Sequence, residues 1–180
     1  GAWLPAAQPA APAALKPPAP IDAPLLLIDM PGSGQSSVMV SAPFASEGDA
    51  DRRIGQVTNA VLGGGYSARL NQEVRIKRGL AYGATSDAES QPTGGMLTAR
   101  TQTHHPTAAQ VLQIMRDEMQ RLADAPPAAA ELAARQATLV GSFARRLDTT
   151  GGLAALVAGQ LAKGRPLADL NQHVSDILAV

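Results

Sequence analysis

The feature that most restricts the fold is where the hydrophobic period changes. From residue 107 onward, apolar side chains recur every three or four positions: Val111, Met115, Met119 and Leu122, then Leu132, Leu139, Val140, Phe143 and Leu147. That spacing lays one apolar stripe along a helix. Pro126-Pro127 separates long helices over 107–123 and 128–147, and Gly164 and Pro166 separate shorter ones over 153–163 and 167–178. Ahead of them, short runs suit strands: 25–29, closed by Pro31-Gly32; 36–44, where Val38 and Val40 alternate with polar neighbours; and 81–90 and 95–103, joined by Gln91-Pro92-Thr93-Gly94. Paired strands followed by grouped helices predict an α+β fold, a mostly antiparallel four-stranded sheet with helices packed on one face, opening on a hairpin-like pair.

One helical stretch interrupts the strands. Ile54, Val57 and Val61 fall at helical spacing behind Asp49 and Asp51, where the helix dipole favours acids. The helix stops at Gly63-Gly64-Gly65, read as a tight helix-to-helix turn needing positive φ. Ser67 is placed to cap a second helix with Leu70 and Val74 on one face, and Gly79 to end it in a left-handed conformation.

At 180 residues and 45% hydrophobic, the chain can bury one sizeable core but is short for two ordinary domains. Fourteen of its first 20 residues are Ala or Pro, so 1–22 reads as a semi-rigid linker and 23–180 as one domain. Lys plus Arg equals Asp plus Glu at 15 each, which leaves no net field to attract nucleic acid. No stretch approaches the roughly 18 apolar residues of a membrane span. Aromatic residues make up only 3%, so Leu, Val, Ile, Met and Ala must build the core, and Tyr66 and Tyr82 each invite a reason.

Most routes to chemistry are poorly supplied. No cysteine is present, and the histidines, His104, His105 and His173, form no pair at zinc-binding spacing; on one strand, neighbouring His104 and His105 would face opposite sides. No metal site is expected within this chain. The glycines before Ser67 open a helix as an anion cradle would, but they follow a helix rather than a strand and lack a Gly-Lys-Ser/Thr ending. Gly32-Ser33-Gly34 reads as a loop, not a nucleophile elbow. Glu73, Asp87 and Glu89 are candidate acid–base carboxylates, with no pair favoured by spacing.

The segment from Arg69 to Tyr82 is more telling, because it runs from a helix through a glycine cap into a strand with Arg75 and Tyr82 seven residues apart. A guanidinium fork and a phenol on one surface can grip a peptide carbonyl and the oxyanion developing from it. The ordinary alternative is an arginine complementing a helix C-terminus and a strand tyrosine with a wet tip.

The run Asn59-Ala60-Val61-Leu62-Gly63-Gly64-Gly65-Tyr66-Ser67-Ala68-Arg69-Leu70, followed by Arg75 and Gly79-Leu80-Ala81-Tyr82, closely resembles the C-terminal domain of pitrilysin/insulinase-family zinc metallopeptidases, which include the mitochondrial processing peptidases. The resemblance implies one domain of a clamshell whose homologous halves close around a peptide chamber. It implies zinc and an inverted His-x-x-Glu-His motif in the other half, with Arg75 and Tyr82 binding the substrate backbone and the transition state. The chain lacks that motif, so alone it is expected to be inactive and to work through a His-x-x-Glu-His partner domain or subunit. The resemblance also implies a preceding homologous domain and further elements beyond Val180, and it is compatible with a periplasmic location. The rival reading is an inert structural or assembly subunit of the same fold.

Overall fold

The computed structural model describes residues 24–180, so the linker expected over 1–22 lies outside the described residues. The chain divides into two units, Gly1–Gly32 and Ser33–Val180. Within the first, residues 25–30 form no regular element, where a strand over 25–29 was expected. An unbroken apolar run signals burial but has no alternation with which to set a register against a neighbour.

The second unit carries the fold. Its strands are β1 (Ser36–Phe44), β2 (Ala81–Gln91) and β3 (Gly94–Thr103). They form a three-stranded antiparallel sheet in the order β1-β3-β2, so the expected α+β class and antiparallel pairing hold, while among the described residues the strand count falls from four to three and the opening hairpin is absent. The β2–β3 hairpin turns where the Pro92-Thr93-Gly94 signal predicted it. Between β1 and β2 lie α1 (Arg52–Leu62) and a short α2 (Arg69–Asn71) that widens into a π-helical turn over Gln72–Ile76. After β3, a 3-10 turn leads into α3 (Ala108–Asp124), then α4 (Ala129–Leu147), α5 (Thr150–Ala162) and α6 (Asp169–Leu178).

Side-chain alternation assigns the faces of the sheet. Val38, Ala84, Ala99 and Thr101 point inward and are buried, whereas Ser37, Met39, Thr85, Asp87, Arg100 and Gln102 are exposed. Val38, Ala84 and Ala99 pack with Leu62, Leu70 and Val74 and with Val111 and Met115 of α3 in one aliphatic cluster. Leu70, Val74, Val111 and Met115 are fully buried, as their helical spacing predicted, while Ile54 at the start of α1 stays exposed. Among the described residues the helices therefore cover one face and leave the other open.

A second layer joins α1, α4 and α6, where Phe143 stacks on His173 with ring centroids 4.1 Å apart. Burial, and then the nearby Arg53 guanidinium, push the His173 imidazole down to about 4. Arg52, Arg146 and Asp176 also act on this ring, Asp176 in the opposite sense. Because this value lies below the ordinary one of 6.5, the unfolded chain takes up the proton first. His173 costs nothing above about pH 6.5 and opposes folding increasingly as pH falls towards 4. The ring is only partly buried, so after solvent screening the effect is on the order of 1 kcal/mol. Thermal unfolding midpoints at pH 7 and pH 5 should differ more for the wild type than for His173→Gln; equal drops would remove His173 as a source of acid lability.

Candidate functional site

Local chain geometry brings Arg75 and Tyr82 together at the corner between the π-helical turn and β2. The turn closes through Lys77 N–H donating to the Gln72 carbonyl at 2.9 Å, one residue wider than α-helical spacing. Gly79, at φ +60°, ends it in the left-handed conformation expected, with Gly79 N–H on the Arg75 carbonyl and Leu80 N–H on that of Val74. β2 then starts with a bulge. Ala81 pairs with Thr103 and Ala84 with Thr101, which leaves Tyr82 and Gly83 opposite Gln102 alone. The buried hydroxyls of Thr101 and Thr103 donate at 2.6 Å to the carbonyls of Gly83 and Leu80 and so hold the bulge. Tyr82 is thereby held outward, 89% exposed.

The Gly63–Ser67 turn braces the other side. Gly65 takes the positive φ expected of this turn, at +156°, whereas Gly63 and Gly64 do not. They are glycines because the backbone is crowded: a Cβ on Gly63 would meet the Ser86 nitrogen at 2.2 Å, and one on Gly64 the Ala60 Cα at 2.6 Å. Ser67 does not cap α2, whose N-cap is Ala68; its carbonyl instead accepts from Arg135 at 2.5 Å. Buried Asn71 links both sides: its amide donates to the Tyr66 carbonyl at 2.6 Å, and its oxygen accepts from Ala84 N–H at 3.3 Å. Arg69 adds a two-pronged ion pair to Glu131 of α4, at 2.9 and 2.7 Å, and that bonding lowers the Glu131 pKa and raises that of Arg69.

Above this frame, Arg75 and Tyr82 line one open concavity of about 640 Å³ together with Tyr66, Arg100, Gln102 and Ser37. The Arg75 guanidinium carbon lies over both tyrosine rings, 4.7 Å from the Tyr82 centroid and 5.0 Å from that of Tyr66. Among the described residues no carboxylate pairs with Arg75, whereas Arg100 is bound to Asp87 at 2.8 Å. Tyr66 and Asn71 were not singled out from the sequence as site residues. The scarcity of aromatics pointed to Tyr66, and Asn71, three positions before Val74, sits next to the apolar helix face.

The other candidates are accounted for locally. Glu73 pairs with Lys77 and Arg78, whose hydrogen bonds hold its carboxyl below the ordinary range. Asp87 is committed to Arg100, and Glu89 is exposed on the same strand face. His105 bonds the Ser36 hydroxyl at 2.8 Å and the Ser33 carbonyl at 2.9 Å, and His173 is stacked in the helical layer. Among the described residues no group of three or more His, Asp or Glu side chains is arranged to hold a metal ion.

Fold and corner together define an α+β domain whose open sheet face ends in an arginine shared by two tyrosines. Residues 2–139 match the family model described as the peptidase M16 inactive domain, and the chain belongs to that family. A 119-residue stretch is 34% identical to an uncharacterized zinc protease of Streptomyces coelicolor, covering 66% of this chain and 26% of that protein. The structure superposes on the crystal structure of a peptidase M16 inactive domain from Pseudomonas fluorescens with a TM-score of 0.74 at 25% identity, covering 82% of this chain and 35% of that one. A protease from Helicobacter pylori shares the fold, with a TM-score of 0.76 at 20% identity over 84% of this chain and 37% of that one. The chain thus spans about a quarter of its curated relative, and the M16 match agrees with the family named from the 59–82 segment.

Proposed function

We propose that this domain is the substrate-binding, non-zinc half of a zinc-dependent peptidase, with Arg75 and Tyr82 reaching peptide bound to a His-x-x-Glu-His partner domain or subunit. The observation that carries this reading is the convergence of the Arg75 guanidinium and the exposed Tyr82 ring on one open concavity where, among the described residues, no acid neutralises the arginine. A peptide carbonyl presented there meets a fork of N–H donors and a phenol. Both strengthen as the carbonyl oxygen gains negative charge, which makes them more valuable to the transition state than to the substrate. Zinc, held by the partner, would supply the activated water.

Tyr82→Phe isolates the phenol, because the ring remains over Arg75 while the hydroxyl is lost. In the complete protein, kcat for peptide hydrolysis should fall about tenfold or more with an unchanged unfolding midpoint. Turnover equal to wild type would remove Tyr82 from the mechanism.

A further inference from the structure

The structure assigns a third member to the Arg75–Tyr82 pair: Tyr66, a positioning residue whose ring holds the Arg75 guanidinium at the concavity. The inference rests on the peptidase reading above and deepens it. An arginine side chain has several rotatable bonds, and fixing one at the moment of binding costs conformational entropy unless the fold has already done so. Exposed arginines are commonly fixed by a carboxylate, but a carboxylate here would compete with the peptide carbonyl for the same N–H donors. Aromatic faces attract the cation while leaving its donors unspent. Arg75 has two such faces, at 4.7 and 5.0 Å, and among the described residues no hydrogen bond or ion pair engages its guanidinium.

Tyr66 is built for the task through its backbone. Its carbonyl is tied to buried Asn71 at 2.6 Å, and the same amide holds Ala84 N–H just beyond the bulge that presents Tyr82. One buried side chain therefore sets the spacing between the two rings that hold Arg75. The Tyr66 ring itself is largely exposed and lies in the concavity, so core packing does not account for it.

The test uses the complete protein with an internally quenched random-sequence peptide mixture, and NMR of this chain. Tyr66→Ala should lower kcat/KM about tenfold, Tyr66→Phe should stay within about twofold of wild type, and Tyr66→Ala should add nothing in an Arg75→Ala background. That silence separates positioning through Arg75 from a general structural defect, which would add to the loss. In the chain itself, the Arg75 δ-protons should be shifted by the ring currents, a shift reduced in Tyr66→Ala and kept in Tyr66→Phe. If turnover depends on Arg75 but Tyr66→Ala matches wild type, or if the δ-proton shifts do not change in Tyr66→Ala, this inference is overturned and the peptidase reading stands. If turnover does not depend on Arg75, both fall.

Discussion

Arg75→Ala in the complete protein should lower kcat for peptide hydrolysis about a hundredfold, close to 3 kcal/mol of transition-state stabilisation, while the fold stays intact. The two halves of that expectation come from one observation. Among the described residues the Arg75 guanidinium has aromatic neighbours but no hydrogen bond or ion pair, so truncating it leaves no buried partner unsatisfied. Stability should change by no more than about 0.5 kcal/mol, as for other surface substitutions. On the proposed reading, the donors spent on nothing among the described residues are those available to a peptide oxygen, and that oxygen accepts most strongly once it carries charge. The loss should accordingly appear in kcat more than in KM. Arg75→Lys should recover little, because an ammonium lacks the planar fork and stacks less well on two rings. Full turnover in Arg75→Ala would end the reading of this corner as part of an active site and favour an inert scaffold of the same fold.

What the sequence made legible follows from the range of the forces involved. Helical periods and turn signals act over a few residues, so α3, α4 and the β2–β3 hairpin begin and end close to where Val111, Phe143 and the Pro92-Thr93-Gly94 run placed them. Arg75 and Tyr82 were legible because the positive φ of Gly79 joins their two elements within one short segment. The features that aim them were not. The bulge at Tyr82 and Gly83 depends on hydroxyls of Thr101 and Thr103, 18 and 23 residues from the carbonyls they bind, and no local spacing announces such partners. The π-helical widening at Gln72–Ile76 was likewise not announced, because the spacing of Leu70 and Val74 suits an ordinary helical turn equally well. Ser67 had the composition of a cap, but Arg135, 68 residues away, takes its carbonyl instead. The strand expected over 25–29 failed for the converse reason, since apolar composition alone cannot choose a neighbour.

The glycine turn gives the second large effect, and its direction depends on contact rather than on propensity. Gly63→Ala should destabilise the domain by about 3 kcal/mol, at the upper end of overpacking costs. For a chain of this size that lowers the unfolding midpoint by roughly 10 °C. The added Cβ would sit 2.2 Å from the Ser86 nitrogen, 2.5 Å from its hydroxyl and 2.8 Å from the Thr85 carbonyl carbon. Two of those three atoms are backbone in β2, so relief requires α1 and the sheet to separate rather than a side chain to turn. Separation would also strain the 3.3 Å bond from Ser86 N–H to the Gly63 carbonyl and the 2.6 Å bond from the Ser86 hydroxyl to Asn59. Gly159→Ala supplies the contrast: nothing lies within 4 Å of the Cβ it would add, and the position is inside α5. There the same substitution should stabilise by about 0.5–1 kcal/mol, through helix propensity and a less flexible unfolded chain. Opposite signs from one chemical change, read by urea unfolding, would establish that α1 meets β2 in close backbone contact at Gly63. A Gly63→Ala variant as stable as wild type would mean that the helix and strand stand further apart, and the frame that carries Tyr66 towards Arg75 would have to be redrawn.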